Sequence, residues 1–208
     1  MEVSSGVPAA DAVADILAPA DGAPQFARIL DWITSSSNNL GLPFMIVDKK
    51  AARVFLFDAK GKALKDAPVL LGRATGDIAT PGVGVKSLSE IGPAEKTTPA
   101  GRFLAKMGRA GGGQRVLWVD YATSVAIHTI PNANKEQRVK RMLSPEIDDN
   151  RITFGCINVP KTFYNTGIRR LFTKKGGYVY VLPDTEPVEV IFPLVRLYPE
   201  TNVASSGQ

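Results

Sequence analysis

Apolar residues in this chain recur at two spacings, which predict a short helix followed by a long series of β-strands. The apolar residues between Phe26 and Ile33 are spaced as one helix face, which predicts a helix over 25–34. From Leu42 onward, apolar residues come in short runs bounded by turn-forming residues, as is typical of strands. The predicted strands are 44–48, 53–58, 68–72, 102–107, 115–121, 125–130, 178–182 and 188–197. The pattern therefore predicts a fold that is mainly β with a few helices.

The composition divides the chain into a folded middle and two polar ends. Residues 1–24 are rich in Ala, Ser, Gly, Pro and Asp, which predicts a flexible N-terminal tail. A short helix and linker are expected over 25–41, one domain over 42–198, and a flexible C-terminal tail over 199–208. Within the domain, residues 131–150 are polar and basic without a clear period, and we expect an insertion loop on the surface that could include a helix over 135–142.

The charge balance is mildly basic, with 25 Lys and Arg against 20 Asp and Glu, a net charge of +5. Such a balance favours an anionic partner such as nucleic acid, an anionic envelope surface or an acidic polymer. The densest basic run, 135–141, is not interleaved with aromatic residues, and no nucleic-acid motif is present. We therefore expect a solvated basic surface that does not bind nucleic acid. We also expect neither a membrane span nor a signal peptide in this chain.

The chain has one histidine and one cysteine, and each lies in an apolar run. His128 lies in a predicted strand, and Cys156 lies in a run interrupted by Gly155 and Pro160. A thiol becomes a useful nucleophile with the help of a base, and His128 is the single imidazole available. These two residues fall short of the ligands that zinc needs, so neither a metal nor a cofactor is expected. The alternative is structural, because a lone cysteine is more often a packing residue.

Two features near Cys156 suit a reactive thiol. The pKa of a free thiol is about 8.5, and a nearby His⁺ or helix N-terminus lowers it to roughly 3.5–7.5. Cys156 has both candidates, His128 and the helix predicted to begin near Pro160. Gly155 allows a substrate carbonyl to approach the backbone closely, so the N–H groups of Gly155 and Cys156 are candidates for an oxyanion hole.

These two runs resemble the active-site signature of the L,D-transpeptidases, the YkuD-domain family. That signature is an upstream His followed by Ser/Thr-His-Gly-Cys-apolar-Asn. The matching residues are His128, Thr153, Gly155, Cys156, Ile157 and Asn158, with Thr98, Pro99, Gly101 and Phe103 resembling an upstream Thr-Pro-x-Gly-x-Phe pattern. Phe154 stands where the family usually has a second histidine, and the spacer before Cys156 is longer than usual. The extra length corresponds to 131–150, which makes this insertion a candidate lid.

The resemblance implies a YkuD-like β-sandwich catalytic domain over 42–198. It implies that Cys156 attacks the third residue of a peptidoglycan stem peptide, with His128 as base and the Thr129 carbonyl orienting it. It further implies an oxyanion N–H from Gly155, inhibition by carbapenems, and a place in the periplasm or cell envelope, in wall biogenesis and cell shape. The substrate-binding candidates are Thr153, Phe154 and Asn158.

Several alternatives stay open at this point. The same site would serve an L,D-carboxypeptidase or a D-amino-acid exchange enzyme, if water or a free D-amino acid replaced the second stem. A non-catalytic wall-binding module is the alternative that Phe154 favours. Thr153 is balanced between packing and substrate binding, whereas Asn158 is more typical of a residue that holds a loop by hydrogen bonds.

Overall fold

The computed structural model describes residues 23–130 and 135–198, so the predicted tails lie almost wholly outside the described residues. The strands are β1 (Phe44–Asp48), β2 (Arg53–Phe57), β3 (Ala63–Pro68), β4 (Leu71–Gly72), β5 (Gly101–Arg109), β6 (Arg115–Asp120), β7 (Val125–Thr129), β8 (Arg151–Thr153), β9 (Ile157–Val159) and β10 (Gly177–Val181). The α-helices are α1 (Ala23–Ser35), α2 (Arg138–Met142), α3 (Ile147–Asn150), α4 (Lys161–Phe163), α5 (Arg169–Phe172) and α6 (Val188–Ile191). The predicted mainly β fold with a few helices is confirmed.

Eight of these strands form one sheet in the order β3-β2-β1-β10-β5-β6-β7-β9, and β4 pairs with β8 separately. Strand β5 joins the two halves of the large sheet. Its residues 101–105 pair with β10, and its residues 106–109 pair with β6. Residues from both halves bury one common apolar cluster, so the halves pack around a shared core as in a β-sandwich.

The strand β1 is buried along its whole length because both of its faces are covered. Met45 and Val47 contribute to the shared core, whereas Phe44 and Ile46 contribute to a second cluster with α1. This division follows from the period of two in a strand, which sends neighbouring side chains to opposite faces. A strand covered on both faces reads as a continuous apolar run, which is how β1 was recognisable.

Two predicted strands differ from the structure. The segment 188–197 forms α6 and a 3-10 helix at Pro193–Leu197. Proline lacks the N–H that a ladder needs, but it is accepted in the first turn of a helix, so Pro187 and Pro193 favour helical turns here. The predicted strand 68–72 is divided, because β3 ends at Pro68 and β4 begins at Leu71.

Residues 135–142 and 147–150 of the insertion are helical, whereas the sequence predicted a loop with a helix only over 135–142. A 3-10 turn at Lys135–Gln137 leads into α2, and α3 follows. Arg141 joins the two helices, because its guanidinium donates to the carbonyls of Asp149 (2.7 Å) and Asp148 (3.3 Å). Met142 is buried and anchors the segment. None of the helices in the described residues is long and apolar enough to cross a membrane.

Candidate active site

His128 lies near the end of β7 and is held by its own backbone. Its Nδ1 lies 2.8 Å from the Thr129 carbonyl, and because a carbonyl only accepts, Nδ1 carries the proton. The lone pair is then on Nε2, the form that a general base requires. Burial lowers the pKa of His128, as does the charge of Arg138, while the bond to Thr129 acts in the opposite direction. The imidazole is therefore neutral at pH 7.

Cys156 lies between β8 and β9 and is partly exposed to solvent. Its thiol donates to the Ser124 carbonyl, with Sγ 3.6 Å from the oxygen. Burial raises the pKa of the thiol, and a contact with the Ala126 N–H opposes this only in part. The expected lowering of the pKa is therefore wrong for this resting state. The helix begins at Lys161, after β9 in the sequence, and its N-terminus is not among the groups that lower the pKa of this thiol.

The strands β7 and β9 are adjacent and parallel, which places His128 opposite Asn158, two positions after Cys156. Ile127 pairs with Ile157 and His128 pairs with Asn158. The two isoleucines belong to the core, so His128, Asn158 and the preceding Cys156 lie on the opposite side of this pair of strands. A parallel β7–β9 pairing thus unites two residues that are 28 positions apart in the sequence.

Asn158 is 1% exposed and touches the imidazole of His128. Its Nδ2 lies 3.3 Å from Nε2 and 3.5 Å from Nδ1. A donor aimed along the lone pair of Nε2 would lie much farther from Nδ1, so Asn158 leaves that lone pair accessible. Its Oδ1 accepts from Nη1 of Arg138 at 2.9 Å. Asn158 therefore couples the insertion to the histidine, and its burial supports the structural alternative over substrate contact.

The loop before Cys156 is held by internal hydrogen bonds. The Thr153 hydroxyl donates to the Cys156 carbonyl at 2.6 Å and accepts from the Gly155 N–H at 3.2 Å. Thr153 is buried, which opposes the expected contact with substrate. The Gly155 N–H is engaged inside the loop, which argues against its expected oxyanion role and leaves the Cys156 N–H as the remaining candidate.

Gly155 is required by the backbone itself. Its φ is +125°, and a Cβ there would meet the Thr97 carbonyl oxygen at 2.7 Å. Thr98 secures the same point, because its hydroxyl donates to the Gly155 carbonyl at 2.9 Å and accepts from the Gly72 N–H at 2.8 Å. Thr98, the first residue of the upstream Thr-Pro-x-Gly pattern, thus fixes the position of the loop that carries Cys156.

A buried ion-pair network holds Thr98 in turn, and it was missed in the sequence. The Lys49 ammonium is fully buried and donates to the carbonyls of Gly76 (2.6 Å) and Thr98 (2.9 Å). It also donates to Asp77 at 2.8 Å and lies 3.3 Å from Asp184. Lys49 comes directly after β1, in a segment that reads as an ordinary hairpin turn. Its signal is a lysine next to a strand that is buried throughout.

Phe154 points away from the core and is 37% exposed. The Lys96 ammonium lies 3.9 Å from the centroid of its ring, a cation–π contact. Phe154 lines a cleft with residues of the insertion, next to the loop that carries Cys156. Of the predicted substrate-binding residues, Phe154 is therefore the one that the structure leaves accessible. Among the described residues, no group of His, Cys, Asp and Glu is arranged to hold a metal ion.

No protein-family model matches the chain, and no curated protein matches it. Among solved structures it is similar to an L,D-transpeptidase from Xylanimonas cellulosilytica, with 12% identity over 67% of this chain and a TM-score of 0.41. An L,D-transpeptidase mutant from Enterococcus faecium has 20% identity over 67% of this chain and a TM-score of 0.36. The helical cell shape determining protein Pgp2 from Campylobacter jejuni has 15% identity over 70% of this chain and a TM-score of 0.45.

The matched region covers less than two thirds of each of those three chains, at 60%, 49% and 49% of their lengths. Similarity at this level concerns the fold and not the reaction. The chain is thus similar to solved L,D-transpeptidases.

Proposed function

We propose that this chain is a cysteine-dependent L,D-transpeptidase that acts on peptidoglycan stem peptides in the periplasm or cell envelope. The observation that carries the proposal is the state of His128. Its Nδ1 proton is held by the Thr129 carbonyl, and its Nε2 lone pair is accessible on the strand beside Cys156. An oriented neutral imidazole on the same face of the strand pair as a partly exposed thiol supports nucleophilic catalysis.

In the first step, His128 Nε2 takes the thiol proton while Sγ attacks the carbonyl carbon of the third stem residue. A thiol of raised pKa and an imidazole of lowered pKa form a neutral pair, so proton transfer accompanies the attack rather than preceding it. The thiol turns from the Ser124 carbonyl toward Nε2. The Cys156 N–H then donates to the oxyanion. His128 returns the proton to the leaving nitrogen, the C–N bond breaks, and the terminal D-amino acid departs.

In the second step, an amine of another stem attacks the thioester. His128 accepts a proton from that amine, the C–S bond breaks, and the proton returns to Sγ. Water in place of the amine would release a tripeptide, the carboxypeptidase alternative, and a D-amino acid would give exchange. The acceptor therefore decides the outcome.

The proposal is tested with purified protein, stem tetrapeptide and product analysis by mass spectrometry. We expect cross-linked dimers and free D-amino acid. Tripeptide alone would identify a carboxypeptidase. A carbapenem is incubated in parallel, and we expect one covalent adduct, located on Cys156. Absence of both turnover and adduct would favour a wall-binding module instead.

The pH dependence of acylation tests the role of His128. Neutral imidazole is the active form, so the rate should rise with pH through the pKa of His128, which lies below its ordinary value. Arg138→Gln removes a positive charge that lowers this pKa. We therefore expect the acid limb of kcat/KM to move to higher pH in this variant.

Arg138→Lys is the matched control, because it keeps the charge while altering the contact with Asn158. We expect it to leave the acid limb close to that of the wild type. His128→Ala should lower the rate by about 10²–10⁴-fold and remove the limb altogether. A limb that persists in His128→Ala would assign the proton transfer to another group.

A further inference from the structure

A cleft of about 890 Å³ lies between the insertion and the small β4–β8 sheet. Ile152 of β8 and Phe154 form part of its wall, so it runs beside the segment that leads to Cys156. Its lining also includes Arg73, Lys96, Glu136, Lys140, Arg141 and Asp149. The cleft therefore combines two features that distinguish this chain from the family signature, Phe154 and the insertion.

The charges in the cleft are unequal, with four basic and two acidic side chains. Glu136 is paired with Arg138 at 2.8 Å, and the Asp149 carboxylate accepts from the Ser144 hydroxyl at 2.7 Å. Glu136 is thus neutralised by an ion pair, whereas a neutral hydroxyl donor leaves the charge of Asp149 in place. The Arg141 guanidinium likewise keeps its charge, because it donates to backbone carbonyls. Four positive charges in the lining thus face the one negative charge of Asp149. The surface that faces the cleft is therefore positive.

Arg73 and Lys140 are the most accessible of the basic residues, since both side chains are exposed. They lie on opposite sides, because Arg73 follows β4 and Lys140 belongs to α2. A ligand in the cleft would meet a cation on each side and apolar surface from Ile152 and Leu143 between them. This combination suits a peptide that carries carboxylates. A nucleic acid base is less suited, because Lys96 already covers a face of Phe154.

We propose that this cleft binds the carboxylates of an acidic peptide and so selects the stem that reaches Cys156. The identity of that peptide as a peptidoglycan stem rests on the proposed function. Basic residues on both sides of the cleft bind the carboxylates of the stem, and the reacting carbonyl of the stem extends to the loop that carries Cys156. Binding at the cleft is thus separate from the chemistry at Cys156.

The test measures equilibrium binding of stem tetrapeptide to a Cys156→Ala background, in which turnover cannot consume the ligand. Arg73→Glu and Lys140→Glu are introduced singly and together. We expect the double variant to bind roughly tenfold more weakly, since two attractions become repulsions. A tetrapeptide with amidated carboxyl groups should bind the unaltered background weakly and be insensitive to the same changes.

The matched control is Arg170→Glu with Lys174→Glu, an exposed Arg and Lys outside the cleft. It changes the net charge equally and should leave the affinity within about twofold, because the excess field is screened. Thermal melting establishes that each variant is folded. Equal affinities of the cleft and control variants, undiminished binding of the amidated peptide, or no binding of tetrapeptide would each overturn the inference. Failure of a carbapenem to label wild-type Cys156 would instead overturn the proposed function.

Discussion

Replacing Cys156 with alanine is expected to lower turnover of stem tetrapeptide by at least about 10³-fold, because no other thiol is available to form the thioester. Cys156 is the single cysteine of the chain. A thiol reagent or a carbapenem should therefore add one mass increment to the wild type and none to Cys156→Ala. The side chain is partly exposed and outside the core clusters, so the melting temperature should be nearly unchanged.

Cys156→Ser is the matched control for shape. It keeps a hydroxyl donor for the Ser124 carbonyl but replaces the thiol with a poorer nucleophile. We expect it to fold like the wild type, to bind tetrapeptide, and to remain unlabelled by the carbapenem. Full turnover in either variant would contradict the thioester mechanism. Loss of folding in Cys156→Ser would assign Cys156 a packing role instead.

Replacing Lys49 with methionine is expected to destabilise the fold by about 3–5 kcal/mol, because the change leaves the buried Asp77 carboxylate without its cation. Asp184 keeps its own ion pair with Arg151, at 2.7 Å. The Lys49 and Asp77 side chains are 0% and 1% exposed. The same ammonium secures the Thr98 carbonyl, so the loop that carries Cys156 should also loosen and acylation should slow. Denaturant unfolding and carbapenem labelling would measure the two effects.

Lys50→Met is the control, since Lys50 is the exposed neighbour of Lys49 in the same turn. A surface change of this kind should alter stability by no more than about 0.5 kcal/mol. Equal losses in the two variants would mean that the buried network contributes little. Both variants replace a lysine with a methionine in the same turn, so they differ mainly in whether that lysine is buried.

The network also predicts how stability depends on pH. Burial alone would raise the pKa of Asp77, but the Lys49 ammonium and the N–H groups of residues 184–186 lower it far below its usual value. A depressed pKa contributes stability that is present above the ordinary Asp value of about 3.9 and is lost as pH falls. Asp77→Asn should therefore be less stable than the wild type at pH 7. The difference should shrink below about pH 4.

Local pattern predicted much of the fold correctly. The helix α1 and most strands of the large sheet were predictable, because a spacing of 3.6 or 2 residues is visible in neighbouring positions. The segment 188–197 was misread, since its apolar run fits a strand or a helix and Pro187 and Pro193 favour the latter. Within the insertion, α2 forms inside the range where a helix was considered, whereas α3 was not expected, because it is only four residues long.

Of the candidate site, only the two reacting residues, Cys156 and His128, were predictable. The spacing around Cys156 and the single imidazole pointed to a pair, but no local pattern reports which way a buried polar group turns. Thr153 and Asn158 were candidate substrate contacts with structural alternatives left open, and both are buried, which favours the structural alternatives. The roles of Arg138 and Lys49 were missed, because Asn158 and Asp77, the partners that give them those roles, lie 20 and 28 positions away in the sequence.

By itself, the sequence determined that this chain is a mainly β protein with one candidate nucleophile, Cys156, and one candidate base, His128. Those properties depend on residue type and on short-range spacing. Only the tertiary structure decided that the resting pair is neutral, because the pKa values of both groups respond to burial that distant strands create. It also decided that Phe154 and the insertion form one basic cleft, since charge and shape combine there only after β8 and α2 come together.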